Sequence, residues 1–242
     1  MRFIARLDIK NNFVIKGINF EGLRKIGDPN ILAHKYYMDG ADEIIYIDTV
    51  ASLYDRGSIS KFLKVATKNI FIPITVGGGI RNIKGSDKLL KNGADKIAVN
   101  TALFKNKKLS KELVDKYGSQ SVVLSIQAKK VSENCWEAYI NYGRDKTNMS
   151  VLEWVKKNSL NNFGEILLTS IDAEGLSSGF DINLYKCIAK HVKIPLIASG
   201  GFGKVQHIKE LKKYVNIDAV SISSAVHYNK IDFKRIKKEI DF

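Results

Sequence analysis

The chain has 242 residues, 45% of them hydrophobic, and a formal net charge of +14. That length and content fit one large unit with a sizeable core and argue against a disordered chain or a small disulfide scaffold. The two cysteines, Cys135 and Cys187, show no pairing or metal spacing, and neither a charged leader with an apolar stretch nor a membrane-length apolar run is present; a reducing, cytoplasmic setting without a membrane anchor is expected.

Eight strand-like runs follow in order: FIARLDI (3–9), EIIYID (43–48), IFIPITV (70–76), KIAVN (96–100), SVVLSIQ (121–127), EILLTSI (165–171), IPLIAS (194–199) and DAVSIS (218–223). Helical patterns lie between most of them, such as ILAHKYYMDGA (31–41), ISKFLKVATKN (59–69), GSDKLLKNGA (85–94) and SVLEWVKKNSL (150–160). Alternating strands and helices predict parallel pairing with right-handed crossovers, and eight such units predict a closed (β/α)8 TIM barrel. An open doubly wound sheet is the alternative, but its G-x-G-x-x-G turn after the first strand is absent.

The sequence also repeats itself. IPITVGGGI (72–80) returns as IPLIASGGF (194–202), so that Pro73 and Pro195 lie 122 positions apart (195 minus 73). ADEIIYID (41–48) resembles FGEILLTS (163–170), ADKIAVNTALF (94–104) resembles IDAVSISSAVH (217–227), and RFIARLDIK (2–10) aligns with SVVLSIQAK (121–129). Four matches in one order predict a single barrel domain over 1–242 made of two half-barrels, approximately 1–118 and 119–242.

In such a barrel the chemistry sits at the carboxyl ends of the strands. That rule selects Asp8, Asp48, Gly77 to Gly79, Asn100, Thr101, Gln127, Thr169, Ser199 to Gly201, Ser223 and Ser224. Small and hydroxyl residues at four of these ends suit phosphate oxygens, and the twofold pattern predicts two anion sites for one doubly phosphorylated ligand. Asp8 reads as a general acid or base; its repeat partner, Gln127, hydrogen-bonds but does not titrate near neutral pH. At the other end, Arg2, Glu43, Lys96 and Glu165 begin strands one, two, four and six, and period-two alternation puts Arg2, Ile4, Arg6 and Asp8 on one side. Two cations and two anions are expected either to close the barrel floor as a charge ring or to be solvated strand starts.

Taken together, LDIKNNFVIKGINFEGLRKIGDP (7–29), GADEIIYID (40–48), PITVGGGIR (73–81), GADKIAVNTA (93–102), GSQSVVLSI (118–126), GEILLTSID (164–172), IPLIASGGFGK (194–204) and the His227 region resemble the cyclase subunit of imidazole glycerol phosphate synthase over nearly the whole chain. The resemblance implies a lyase and cyclase of histidine biosynthesis. Its substrate carries a phosphate at each end, and a glutaminase subunit, docked as a heterodimer, supplies ammonia through the floor. It implies no cofactor, metal, nucleic acid or membrane. By position, Asp8 and Lys16 match catalytic residues. Gly79, Asn100 and Thr101 fall on one phosphate site; Gly175, Ser199, Gly201 and Ser224 fall on the other. Arg2, Glu43, Lys96 and Glu165 fall on the ammonia gate. Two departures stand out: Gln127 where the family has its second catalytic aspartate, and Arg6 where it has a small residue. Both weaken proton transfer, so a second expectation is a paralogue that keeps barrel, gate and glutaminase but passes ammonia to a third enzyme, such as one that amidinates a surface sugar. A basic nucleic-acid-binding scaffold is a third, disfavoured because lysines in KNKKLSKELVDK and FKRIKKEIDF alternate with acids as on a solvated helix face.

Overall fold

The structure is a computed structural model that describes residues 1–51, 59–158 and 162–240. The chain runs β1 (Arg2–Lys10), β2 (Phe13–Ile18), β3 (Glu21–Gly27), α1 (Pro29–Met38), β4 (Glu43–Asp48), α2 (Ile59–Asn69), β5 (Ile74–Gly77), α3 (Ile83–Lys91), β6 (Lys96–Val99), α4 (Thr101–Lys105), α5 (Leu109–Tyr117), β7 (Val122–Ser132), β8 (Cys135–Ile140), β9 (Asp145–Ser150), α6 (Val151–Asn158), β10 (Glu165–Ser170), α7 (Ile182–Ala189), β11 (Leu196–Ser199), α8 (Val205–Tyr214), β12 (Ala219–Ile222), α9 (Ser224–His227) and α10 (Phe233–Ile240). Eight of these strands form a closed parallel ring in the order β1, β4, β5, β6, β7, β10, β11, β12 and back to β1. The expected (β/α)8 TIM barrel is therefore observed. The ends of the stretches 150–160 and 233–242 that lie at 159–160 and 241–242 fall outside the described residues.

All eight expected strands form, within a few residues of their expected limits. The third starts late, at Ile74 rather than at residue 70, because Pro73 has no N–H for the ladder; its carbonyl accepts from Ile44 N at 3.0 Å, and the Asp95 carboxylate accepts from Ile74 N at 2.8 Å. Helix starts are set by local hydrogen bonds. Asp28 caps α1 ahead of Pro29, Asn82 caps α3, and Ser150 with Glu153 forms a reciprocal capping box at α6, Glu153 N donating to Ser150 Oγ at 3.1 Å and Ser150 N to the Glu153 carboxylate at 3.0 Å.

Strand alternation divides the core in two. Outward residues such as Phe3, Ala5, Leu7, Ile44 and Tyr46 pack under the helices, while Ile4, Ile45, Val123, Leu167, Ile197 and Ala219 fill the lumen. Among the described residues no helix is long and apolar enough to cross a membrane.

Two antiparallel hairpins, beyond the eight expected strands, rise from the rim. One, β2–β3, extends β1; the other, β8–β9, extends β7. At their tips Asn19 and Phe20 have φ of 50° and 66°, and Asn141 and Tyr142 have φ of 52° and 59°. These dipeptides are 122 positions apart (141 minus 19), the spacing of the glycine turns. Left-handed backbone is tolerated by Asn and unfavourable for a bulky aromatic, by about 1–3 kcal/mol. The strain is offset because the two rings meet across the mouth, with centroids 4.2 Å apart.

The glycine turns are equally constrained. A Cβ on Gly78 would stand 2.1 Å from the Asp48 carbonyl oxygen, and one on Gly200 would stand 2.6 Å from that of Ser170. At Gly201, with φ of 101°, it would stand 1.9 Å from the Gly179 carbonyl oxygen, while Gly179 N donates to Gly201 O at 2.8 Å. Gly201→Ala is therefore expected to lower stability by about 1–3 kcal/mol or more, each kcal/mol moving Tm by about 2–4 °C in a chain of this size. Gly22→Ala, at φ of 58° in open space, carries only the backbone cost. Calorimetry of the two variants checks the ranking.

Candidate active site at the barrel mouth

Asp8 lies near the carboxyl end of β1, facing the lumen, fully buried, and does not stand free. Arg6, two residues earlier on the same face, donates from Nε to Asp8 Oδ1 at 2.9 Å. The same guanidinium donates from NH1 to Thr169 Oγ1 on β10 at 3.0 Å and to Ser199 Oγ on β11 at 3.1 Å. It thus straps three strands together, with the Phe20 ring 5.6 Å away. Among the described residues the other carboxylate oxygen, Oδ2, has no hydrogen bond of ordinary geometry; the Lys16 ammonium lies 3.9 Å from it. Lys16, expected from the resemblance as a catalytic residue, sits on β2, fully buried, and is ion-paired with Glu174. Burial works against ionisation of Asp8, but the charges of Arg6 and Lys16 outweigh it, and the carboxyl titrates below its usual range. For Tyr142, burial first and then the Asp8 carboxylate push the phenol well above its ordinary value, so it stays protonated beside them.

Gln127 ends its lumen face opposite Asp8. Its Oε1 accepts from Gly143 N in the β8–β9 hairpin at 2.8 Å. An N–H can only donate, so this bond fixes which end of the amide is the oxygen. The nearby histidine is equally unsuited to proton transfer. His227 is buried on α9 with Nδ1 2.6 Å from the Tyr36 hydroxyl, and burial followed by the Lys16 charge lowers its pKa to about 3.

The residues expected at the first phosphate site come together. Gly79, Asn100 and Thr101 line a cavity of about 190 Å³ with Gln127, Tyr142 and, at its rim, Arg81 and Lys105. The β8–β9 hairpin engages them too: Asn100 Nδ2 donates to Tyr139 O at 3.1 Å, and Asn141 N donates to Thr101 Oγ1 at 3.0 Å. Of the second set, Gly175, Gly201 and Ser224 follow β10, β11 and β12 beyond their carboxyl ends, on the far side of the ring. Gly175 carries the backbone of the other hairpin, where a Cβ would come within 2.3 Å of the Gly17 carbonyl oxygen. Ser199 differs from the others. Its hydroxyl points inward to Arg6, and its N–H donates to the Tyr185 hydroxyl at 2.9 Å. Asp48, also at a strand end, caps its own turn, accepting from Val50 N and Ala51 N at 3.1 and 2.9 Å.

The floor residues form the charge ring. Arg2 reaches Glu43 at 2.8 Å and Glu165 at 3.1 Å; Lys96 reaches the same two carboxylates at 3.1 and 3.0 Å. Thr75 adds a hydroxyl donor to Glu43 at 2.6 Å. Solvated strand starts, the other expectation, do not describe Glu43, which is 1% exposed. Among the described residues no three His, Cys, Asp or Glu side chains gather as a metal site.

Sequence reasoning missed Glu174, Phe20 and Tyr142. The two aromatics were marked by a shorter repeat, INF at 18–20 and INY at 140–142.

Comparison with known proteins adds a family to this geometry. The family described as histidine biosynthesis protein matches residues 2–232. The chain is 52% identical over 206 residues to the imidazole glycerol phosphate synthase subunit HisF of Legionella pneumophila, covering 85% of this chain and 97% of that one. It is 42% identical over 239 residues to the HisF subunit of Bacillus cereus strain G9842, covering 99% and 95%. A second Bacillus cereus HisF, from strain ATCC 10987 / NRS 248, is 41% identical over the same length.

Proposed function

The chain belongs to the histidine biosynthesis protein family, in its HisF branch, and on that premise we propose that it is the cyclase subunit of an imidazole glycerol phosphate synthase. It takes ammonia from a glutaminase subunit docked beneath the barrel and acts on the bisphosphorylated ribotide at the mouth. The products are imidazole glycerol phosphate and the aminoimidazole carboxamide ribotide. Asp8 and Lys16 serve the reaction, Gly79, Asn100 and Thr101 hold one phosphate, and Gly175, Gly201 and Ser224 hold the other, with Ser199 supporting that side through Arg6. The chain works as one barrel of two half-barrels, approximately 1–118 and 119–242, a division supported by the matched left-handed dipeptides at 19–20 and 141–142.

The observation that carries this reading is the alignment of the Arg2–Glu43–Lys96–Glu165 ring, an apolar lumen and Asp8 on one axis. A neutral molecule such as ammonia crosses an apolar bore at little cost, whereas ammonium does not. The test compares glutamine-driven with ammonia-driven turnover in the complex with its glutaminase. Glu165→Lys places three cations against one carboxylate at the floor. It is expected to lower glutamine-driven turnover by about tenfold or more, a change of about 1.4 kcal/mol, while the rate with added ammonia stays within about twofold of the parent. Equal loss on both nitrogen sources refutes the gate.

The Arg6–Asp8 pair and Gln127 favour a second reading beside the first. In it cyclisation is vestigial, and the same barrel delivers ammonia to a third enzyme, such as one that amidinates a surface sugar. Steady-state turnover of the bisphosphate near ordinary enzyme rates, a median of about 10 per second, rules this out.

A further inference from the structure

The lumen is bounded by charge at both ends. Below stand Arg2, Glu43, Lys96 and Glu165. Above stand Arg6, Asp8, Lys16 and Glu174, joined by the Arg6–Asp8 and Lys16–Glu174 pairs and the longer Lys16–Asp8 contact. Each quartet has two cations and two anions. Between them lie Ile4, Ile45, Val123, Leu167, Ile197 and Ala219, all closed to solvent. The quartets differ in what carries them. The floor is built on ring strands alone, but Lys16 belongs to the β2–β3 hairpin, whose tip also brings Phe20 over Arg6 and against Tyr142. Lifting that hairpin withdraws one of the two cations and the Phe20 half of the aromatic cover in a single movement.

We propose that Arg6, Asp8, Lys16 and Glu174, covered by Phe20 and Tyr142, form a second gate at the exit of the lumen, opened by the β2–β3 hairpin, so that the bore is a chamber closed at both ends. This rests on the reading of the lumen as an ammonia path. It goes beyond that reading in placing a barrier between the chamber and the reacting carbon. Arg6 is a positioning residue here: it reaches across the bore from β1 to β10 and β11 and fills the section an unhindered path needs open. A chamber of this kind keeps ammonia out of water, where it is protonated, until a ligand has moved the hairpin.

The gate is tested by the accessibility of a thiol placed in the chamber. Ile4→Cys, between the quartets on β1, is introduced into a chain with Cys135→Ser and Cys187→Ser, and its reaction with methyl methanethiosulfonate is timed. Slow labelling is expected with the gate intact. Phe20→Ala, which leaves every ion pair in place, and Arg6→Met are each expected to raise the rate by about tenfold or more. If Arg6→Met does not fold, Phe20→Ala decides alone. Fast labelling in the parent overturns the proposal. So do equal rates in parent and variants, or an increase no larger than the measured loss of global stability explains. Transfer of ¹⁵N from amide-labelled glutamine to product in the parent complex is followed separately. Its failure refutes the ammonia path, whatever the labelling shows.

Discussion

Gln127→Asp is expected to raise cyclisation of the bisphosphate substrate, with saturating ammonia, by about a hundred- to ten-thousand-fold, the usual worth of one positioned general acid–base group. Two carboxyl groups divide the work when one gives and one takes a proton, and in this chain the lumen-facing end of β7 offers only an amide. The amide is also tied down, since its oxygen accepts from Gly143 N at 2.8 Å. Aspartate is one methylene shorter and stops short of that N–H, which leaves its carboxyl free to titrate. Gln127→Glu keeps the reach and the hydrogen bond, which favours the ionised form; it is expected to gain less, because a carboxylate so held is a poor proton donor. The pH profile of kcat should change shape in the aspartate variant, acquiring a second ionisation that the parent lacks. If neither variant gains, even with Arg6→Cys added, the missing carboxyl is not what limits the reaction.

Much of this was open to a reader of the sequence. Parity along β1 placed Arg2, Ile4, Arg6 and Asp8 on one side, and all four are inward in the barrel. The period of 122 located the glycine turns, because close backbone approach at Gly78 and Gly200 leaves no room for another residue. What stayed hidden has physical reasons. Hairpin turns announce themselves through Asn-Gly or Asp-Gly. Here the left-handed positions hold Asn-Phe and Asn-Tyr, tolerated only because the two rings find each other across the mouth. The destination of Arg6 was equally unreadable. Its partners Thr169 and Ser199 lie 163 and 193 positions away, and nothing local to a strand tells a guanidinium which hydroxyls it will meet. For the same reason the sequence does not show that the Ser199 hydroxyl, expected at a phosphate, accepts from Arg6. Pattern sets the scaffold and the face; long-range polar pairing decides which groups on that face remain available.

Arg6→Met is expected to cost about 3–5 kcal/mol at neutral pH, the penalty for leaving one member of a buried ion pair behind. Asp8 is without solvent exposure and Arg6 is nearly so, so that neither finds water when its partner goes. Thr169 and Ser199 lose a donor as well. Removing both charges, as Arg6→Met with Asp8→Leu, is expected to recover most of the loss, since well-packed apolar replacements of buried pairs are often neutral or stabilising. Acid separates this electrostatic account from a simple packing defect. In the parent the Asp8 carboxyl titrates lower in the folded than in the unfolded chain, where an aspartate titrates near ~3.9. Its contribution is therefore complete above that pH and fades as pH falls towards the folded value. In Arg6→Met the nearer of the two cations that outweighed burial is gone, Lys16 remains 3.9 Å away, and burial then pushes the carboxyl up from its parent value. A raised folded value means that the variant loses stability as pH rises through it. The difference between parent and variant should thus be widest at neutral pH and shrink as both forms become protonated below about pH 4. Urea unfolding at a series of pH values measures it. A gap that stays constant across that range places the cost in packing rather than in the Arg6–Asp8 charge pair.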